Sequence, residues 1–256
     1  MALTSPKTEN ELILRRRKRK RIKKIFMLFI LLLSICITLC LKHPYFNIKN
    51  IEVSGNRNIS SKEIVDLSTL FKGNNIFYIN VRNGENNILS NPYISEVQIK
   101  RKLPATVQIN IKEREALFYN AKDNKYFIVD KNGVVLQKKD DIKGMHLVKL
   151  DGFDYDKSEI GKVLKNDDKS KIDIVTNLGD IILNSKNTIG ITYIDLNSTI
   201  DIKIYFGDMC VKLGRSDNLD KKVNEALNII NSKGLKGAKG YIDVSFDGNP
   251  VFFIQK

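Results

Sequence analysis

The sequence predicts an α+β protein with an N-terminal transmembrane helix, a β-α-α-β-β unit and a mixed antiparallel sheet domain with helices on one face. Three observations support this prediction. An uncharged apolar run near the N-terminus is long enough to cross a bilayer. After it, strand and helix periods follow in the order strand, helix, helix, strand, strand. Beyond them, short alternating strands are interspersed with two amphipathic helices.

The apolar run extends from Ile25 to Leu41 and contains no charged side chain in 17 residues. As a helix it spans about 25 Å, slightly less than the roughly 30 Å hydrocarbon core of a bilayer. Flanking lysines can snorkel to make up the difference. A cleaved signal peptide is the alternative, but the run is long for one and no small-residue cleavage pattern ends it. We therefore predict an uncleaved transmembrane helix at residues 25–41.

A dense block of positive charge precedes this run. Residues 1–24 contain ten Lys or Arg and two Glu, so they carry +8 of the chain's net charge of +14. Because cations accumulate on the cytoplasmic side of membrane helices, this segment is predicted to be a basic cytoplasmic tail. Its like charges favour an unfolded segment unless anionic membrane lipid neutralises them, and no nucleic-acid partner is expected. The predicted membrane-surface residues are Arg15, Arg16, Arg17, Lys18, Arg19, Lys20, Arg21, Lys23 and Lys24.

A first folded unit is predicted at residues 46–115. Two helices should cover one face of its three-stranded sheet, which leaves a bare sheet edge. Its predicted elements are a strand from Phe46 to Val53, a helix capped by Ser60 or Ser61, a helix from Arg82 to Leu89, and strands around Ile94–Ile99 and Val107–Ile111.

A second unit is predicted at residues 117–256, with an antiparallel sheet and helices on one of its faces. The predicted helices are Lys171–Leu183 and Leu219–Ser232. The predicted strands are Tyr126–Val129, Val134–Leu136, His146–Leu150, Ile191–Leu196, Ile200–Phe206, Met209–Leu213, Gly240–Phe246 and Val251–Ile254.

The sequence offers no set of residues suited to catalysis. The two histidines, His43 and His146, lie far apart, and Cys210 has no nearby base and lies in an apolar alternation. The three cysteines, Cys36, Cys40 and Cys210, form neither a disulfide framework nor a metal-ligand spacing. We therefore expect no enzyme activity, no cofactor and no metal, and we expect function to come from binding.

The last two strands indicate how binding occurs. An edge strand exposes unpaired N–H and C=O groups, onto which a partner can add a strand. Alternation predicts one buried and one open face in Tyr241–Phe246, whereas Val251–Ile254 is apolar on both faces. An ordinary core with a lid is the alternative interpretation. The predicted partner-binding residues are Tyr241, Asp243, Phe246, Val251, Phe252 and Phe253.

Several motifs carry a resemblance to a known family. The first folded unit resembles a polypeptide-transport-associated (POTRA) domain of the cell-division type. Four motifs carry this resemblance, in order Phe46-Asn-Ile-Lys-Asn-Ile-Glu-Val-Ser-Gly-Asn, Asn91-Pro92-Tyr93-Ile94, Arg101-Lys-Leu-Pro-Ala-Thr-Val and Glu113-Arg114. With the anchor directly before it and Tyr241–Val251 similar to the closing strands, the chain resembles the FtsQ/DivIB family. It departs from the family in lacking tryptophan and in having Glu115-Ala116 where Pro often follows.

The resemblance implies a single-pass divisome scaffold at the division septum. It implies that the C-terminal region, with aromatic positions matched by Tyr241 and Phe246, binds FtsL/DivIC-type (FtsB-like) division proteins. Other septal proteins would contact the POTRA domain, and the assembly would help to position septal peptidoglycan synthesis. Two alternatives remain open. A secretion or assembly component would normally carry several POTRA copies and a barrel, and a membrane-tethered cell-wall hydrolase would need a nucleophile or metal set.

Overall fold

A computed structural model describes residues 7–166, 168–184 and 190–255. The first six residues of the predicted tail therefore lie outside the described part. The helices are α1 (Lys7–Lys42), α2 (Ser61–Ser68), α3 (Val81–Leu89), α4 (Ser170–Asn184) and α5 (Leu219–Ser232). The strands are β1 (Asn50–Ser54), β2 (Ile94–Lys102), β3 (Thr106–Glu113), β4 (Ala116–Lys122), β5 (Lys125–Asp130), β6 (Val135–Lys139), β7 (Val148–Asp151), β8 (Tyr193–Asp195), β9 (Ile202–Phe206), β10 (Met209–Gly214), β11 (Gly240–Asp243) and β12 (Val251–Ile254). The predicted α+β class is confirmed.

Helix α1 joins the basic block and the apolar run without a break. Its segment Ile13–Lys42 is long and apolar enough to cross a membrane, and none of its most apolar stretch is buried in the protein. The expectation that the basic block is unfolded is wrong. Lys and Arg are good helix formers, and a block that extends an existing helix avoids the unfavourable nucleation step.

The chain divides into two compact units. The first unit comprises the chain up to Asn87 together with Val97–Ile111. The second unit comprises Ile88–Glu96 together with the chain from Lys112 onward. The first unit contains α1 and most of a sheet with the strand order β1-β3-β2, in which β1 and β3 run parallel. As predicted, the Ser60 side chain caps α2 by accepting a hydrogen bond from the Glu63 N–H.

The start of the first strand was predicted too early. Pro44–Phe46 forms a 3-10 turn, Asn47 makes only an isolated bridge with Asn75, and β1 begins at Asn50. Proline restricts the backbone of this segment and has no N–H for a ladder, so the turn replaces the strand. The sheet buries Val107 and Ile109 of β3 beneath the helices.

The second unit contains a nine-stranded sheet with the order β12-β11-β10-β9-β8-β7-β4-β5-β6. Three neighbouring pairs run parallel, namely β10 with β11, β7 with β8 and β4 with β7, and the others run antiparallel. Strand β4 was not predicted. It forms a tight hairpin with β5 through Asp123 and Asn124, both in the left-handed conformation that such turns require.

Helices α4 and α5 complete one contiguous core with this sheet. The sequence predicts an apolar face of α5 formed by Leu219, Val223, Ala226, Leu227 and Ile230. All of these are buried except Leu227, which is half-buried against the same core. On the sheet side, alternate residues such as Ile204, Val211 and Ile242 are fully buried in the same core. The intervening residues of these strands lie on the opposite face of the sheet.

A buried ion pair lies at the start of this unit. Arg114 Nη1 is 2.8 Å from Asp130 Oδ2, and the Asp130 side chain is only 3% exposed. The other carboxylate oxygen accepts hydrogen bonds from the N–H groups of Asn132 and Val134, which closes the turn between β5 and β6. The Glu113-Arg114 motif therefore supplies a charge that stabilises this turn.

Candidate partner-binding edge

The strand β12 forms one edge of the nine-stranded sheet. It pairs with β11 on one side, and no other described strand pairs with its second side. Its side chains are apolar yet accessible, with Phe252 44% and Phe253 54% exposed. Exposed apolar edge strands are uncommon in isolated proteins because they can recruit further strands.

The register shows which backbone groups of β12 are available. The N–H of Gln255 donates to the carbonyl oxygen of Lys239 at 2.8 Å, so Gln255 faces β11. Alternate residues of an antiparallel pair face the partner strand, so Val251 and Phe253 also face β11. Phe252 and Ile254 therefore direct their N–H and C=O groups away from β11, toward the open edge.

The side chains of β12 lie on both faces of the sheet. Phe252 is opposite Ile242, on the face that the helices cover. Phe253 is on the other face, where its ring stacks on Tyr241 with the centroids 5.8 Å apart. Lys212 Nζ lies 4.5 Å from the centroid of the Tyr241 ring and 4.0 Å from Asp243 Oδ2. The edge thus adjoins an aromatic surface on which the charged side chains of Lys212 and Asp243 lie close to each other.

This aromatic surface continues across the sheet in a single row. Tyr193 and Tyr205 stack with their centroids 5.0 Å apart, and Lys149 Nζ lies 4.9 Å from the Tyr193 ring. Burial raises the pKa of both tyrosine hydroxyls, so both remain protonated and neutral at physiological pH. Residues paired in register from β12 to β4 form the row: Phe253, Tyr241, Cys210, Tyr205, Tyr193, Lys149 and Tyr119.

Comparison with known proteins identifies the family. A model described as "POTRA domain, FtsQ-type" matches residues 46–114, and one described as "Cell division protein FtsQ/DivIB, C-terminal" matches residues 118–245. The chain is 52% identical to cell division protein DivIB of Clostridium botulinum over 248 residues, 96% of this chain and 97% of that protein. It is 45% identical to DivIB of Clostridium acetobutylicum, covering 98% and 100% of the two chains. The chain belongs to the FtsQ/DivIB family.

Membership of the FtsQ/DivIB family assigns a role in cell division, and the N-terminal apolar helix fits the membrane anchor of such a protein. The Bacillus subtilis DivIB is 32% identical over 123 residues, which are 48% of this chain. The C-terminal family match ends at residue 245, before β12 begins. The edge strand β12 therefore lies outside the region that the family model matches.

The structure corrects the predicted position of Phe246 within the FtsQ/DivIB C-terminal unit. Strand β11 ends at Asp243, and Phe246 lies in the following loop rather than on a strand. The reason is local, since Asp243 Oδ1 accepts hydrogen bonds from the Ser245 N–H and the Ser245 hydroxyl, which bends the chain. The aromatic ring of Phe246 is half-exposed on this loop.

Tyr241 and Asp243 also differ from the prediction in one respect. Both lie in β11, which is paired with β10 and β12 on its two sides, so its backbone cannot accept a strand. Only the side chains of these two residues can contact a partner, on the face of the sheet that carries the aromatic row. Of the predicted partner-binding residues, Val251, Phe252 and Phe253 lie on the edge strand itself.

The remaining candidate sites are simpler. The predicted membrane-surface residues, from Arg15 to Lys24, are all exposed on α1, directly before the apolar stretch. No group of three or more His, Cys, Asp or Glu side chains that could hold a metal ion occurs among the described residues. Cys210 is half-buried in the aromatic row, and burial raises the pKa of its thiol, which suits a structural rather than a nucleophilic cysteine.

Proposed function

We propose that this FtsQ/DivIB-family chain is a divisome scaffold that accepts a strand from an FtsL/DivIC-type (FtsB-like) partner on the open edge of β12. The single observation that supports this most is the apolar, accessible edge strand with the outward-facing backbone of Phe252 and Ile254. A protein that works in this way acts by occupancy and needs no catalytic residue.

The energetics indicate what else the partner must contact. The two N–H and two C=O groups of Phe252 and Ile254 can form four hydrogen bonds, which contribute about 2–6 kcal/mol in total. A free energy of about 4 kcal/mol corresponds to only millimolar affinity. Additional contacts are therefore required. The exposed rings of Phe252 and Phe253, with the half-buried ring of Tyr241 beside them, are suited to supply these contacts.

The anchor defines where the scaffold works. The cationic half of α1 would lie in the cytoplasm against anionic lipid, and the POTRA domain and the nine-stranded sheet would lie outside the cell membrane. Other septal proteins would bind the POTRA domain. With the FtsL/DivIC-type partner held at the division septum, the scaffold would help to position septal peptidoglycan synthesis.

Imaging in dividing cells tests the proposed role. A fluorescent fusion of the full chain, expressed in place of the native copy, should form a band at the septum. A uniform envelope signal in cells that still divide would contradict the proposal. A cell-wall hydrolase is tested separately, because the purified full chain should release no soluble fragments from peptidoglycan, and measurable release would favour that alternative.

A further inference from the structure

The POTRA domain is attached to the end of the membrane helix by direct hydrogen bonding. Asn75 Nδ2 donates to the carbonyl oxygen of Leu41 at 2.9 Å, within the last turn of α1. The same residue, Asn75, forms an isolated β-bridge with Asn47. Only the short 3-10 turn Pro44–Phe46 separates α1 from this bridge. The segment around Asn75 therefore lies beside the C-terminal end of α1, where its long apolar stretch ends.

Exposed aromatic and apolar side chains surround this point. Tyr45 is 55% exposed, and its ring packs edge-on against Phe46, which in turn contacts Phe77. Tyr78, one turn beyond Asn75, is 67% exposed.

The turn between β2 and β3 lies at the same end of the domain. The carbonyl oxygen of Ala105 in this turn accepts a hydrogen bond from the Lys49 N–H at 2.8 Å, directly before β1. Leu103, in the same turn, is 58% exposed. Two tyrosines and a leucine thus remain accessible at the end of the domain nearest to α1.

Cationic side chains lie among these residues. Lys42 and Lys49 are exposed on either side of the 3-10 turn. Arg101 instead fixes the backbone of this region, since its guanidinium donates to the carbonyl oxygens of Ile76 and Ile79 at 2.8 and 2.9 Å. The segment that carries Tyr78 is therefore held in place rather than free to fold away from the membrane.

We propose that Tyr45, Tyr78 and Leu103, together with Lys42 and Lys49, form a membrane rim that rests in the headgroup region of the outer leaflet. Tyrosine is enriched at this depth because its ring is apolar and its hydroxyl remains hydrated. The lysines match the phosphate groups of the lipids. The surface is continuous with the membrane-spanning face of α1, so its occupant is the same bilayer, and the inference does not depend on any partner protein.

The membrane rim would give the first domain a second attachment to the bilayer. A membrane helix alone restricts only the distance of the POTRA domain from the bilayer. The helix and the membrane rim together would also restrict the tilt of that domain relative to the bilayer. The POTRA domain would then present its remaining surface at a fixed angle to the membrane.

The sequence makes a direct test possible because the chain contains no tryptophan. The full-length Tyr78→Trp variant, reconstituted alone into phosphatidylcholine and phosphatidylglycerol vesicles, carries one fluorophore in the membrane rim. We expect blue-shifted emission and strong quenching when brominated lipids replace the normal ones. The matched control is the full-length Lys62→Trp variant, since Lys62 is exposed in the first turn of α2. It lines a surface groove with Ile51 and Val53 of β1, and Val53 lies about 10 Å along the strand from Asn50, where β1 begins next to the proposed membrane rim.

The result expected is quenching several-fold stronger for Tyr78→Trp than for Lys62→Trp. Equal and weak quenching of both variants, with water-like emission, would overturn the proposal. Because the vesicles contain no other protein, quenching at position 78 can arise only from lipid. If Tyr78→Trp fails to fold by circular dichroism, the Tyr45→Trp variant applies the same test at the second exposed tyrosine.

Discussion

Proline substitution at Phe252 tests strand addition on β12 without removing the strand itself. The N–H of Phe252 points away from β11, so its loss leaves the ladder between β11 and β12 intact. Proline is tolerated at such outward positions of edge strands. Phe252→Ala is the matched control, because both variants lose the ring and only the alanine variant keeps the N–H.

The difference between the two variants can be estimated from the backbone alone. The proline variant loses one hydrogen bond, and it leaves a carbonyl oxygen of the added strand unpaired. Together these effects cost about 1.5–3 kcal/mol. Since 1.4 kcal/mol corresponds to a tenfold change in Kd, the proline variant should bind roughly 10- to 100-fold more weakly than the alanine variant.

The assay measures binding of a purified FtsL/DivIC-type partner to the full chain in nanodiscs, by calorimetry or interferometry. Thermal unfolding midpoints of the two variants should agree within a few degrees, which shows that the fold is kept. If both variants bind equally but more weakly than the parent protein, then Phe252 acts through its ring and strand addition is refuted. If both variants bind the partner as tightly as the parent protein does, then β12 is not the edge that binds the partner.

Three further predictions concern other parts of the chain. Arg114→Ala should destabilise the protein by about 3–5 kcal/mol in chemical denaturation, because the buried Asp130 carboxylate is left unpaired, and adding Asp130→Asn should restore part of that loss. With Cys36 and Cys40 of the apolar run replaced by serine, Cys210 should react with iodoacetamide much more slowly in the folded than in the unfolded chain, because its raised pKa reduces the thiolate fraction at pH 8. Equal rates would contradict this prediction. Replacing the cations of residues 15–24 by glutamate should invert or abolish membrane orientation, as measured by protease access in spheroplasts, and unchanged access would show that another signal sets topology.

The helices of the second unit were predictable because their burial follows a simple period. The observed bounds of α5, Leu219 and Ser232, are those predicted, since the core buries four of the five apolar residues that the sequence shows at helical spacing. Strand β4 was missed because its burial does not alternate cleanly. Leu117 and Phe118 are both buried around a register shift, and Asn120 is a buried polar residue that donates to the Leu150 carbonyl oxygen.

At the candidate site, the sequence predicted which strands are apolar but not which strands lie side by side. The alternation of Tyr241–Phe246 and the apolar composition of Val251–Ile254 pointed to the edge, but they could not give the order of strands. The aromatic row exists only because β11 lies beside β10 after the α5 crossover and β8 lies beside β9, which brings Tyr241, Cys210, Tyr205 and Tyr193 into register. The error at Phe246 arose because an apolar alternation continued past a bend that one aspartate side chain creates.

The unbroken length of α1 has a mechanical consequence. The helix extends 18 residues, about 27 Å, on the N-terminal side of the apolar run, and it is hydrogen-bonded to the folded domain at its other end. In the orientation proposed above, such a helix would pivot within the bilayer, so tilting the outside domain would move the cationic arm along the inner membrane surface. Force or crowding at one side of the membrane would then displace the segment at the other side, with no need for a ligand to cross.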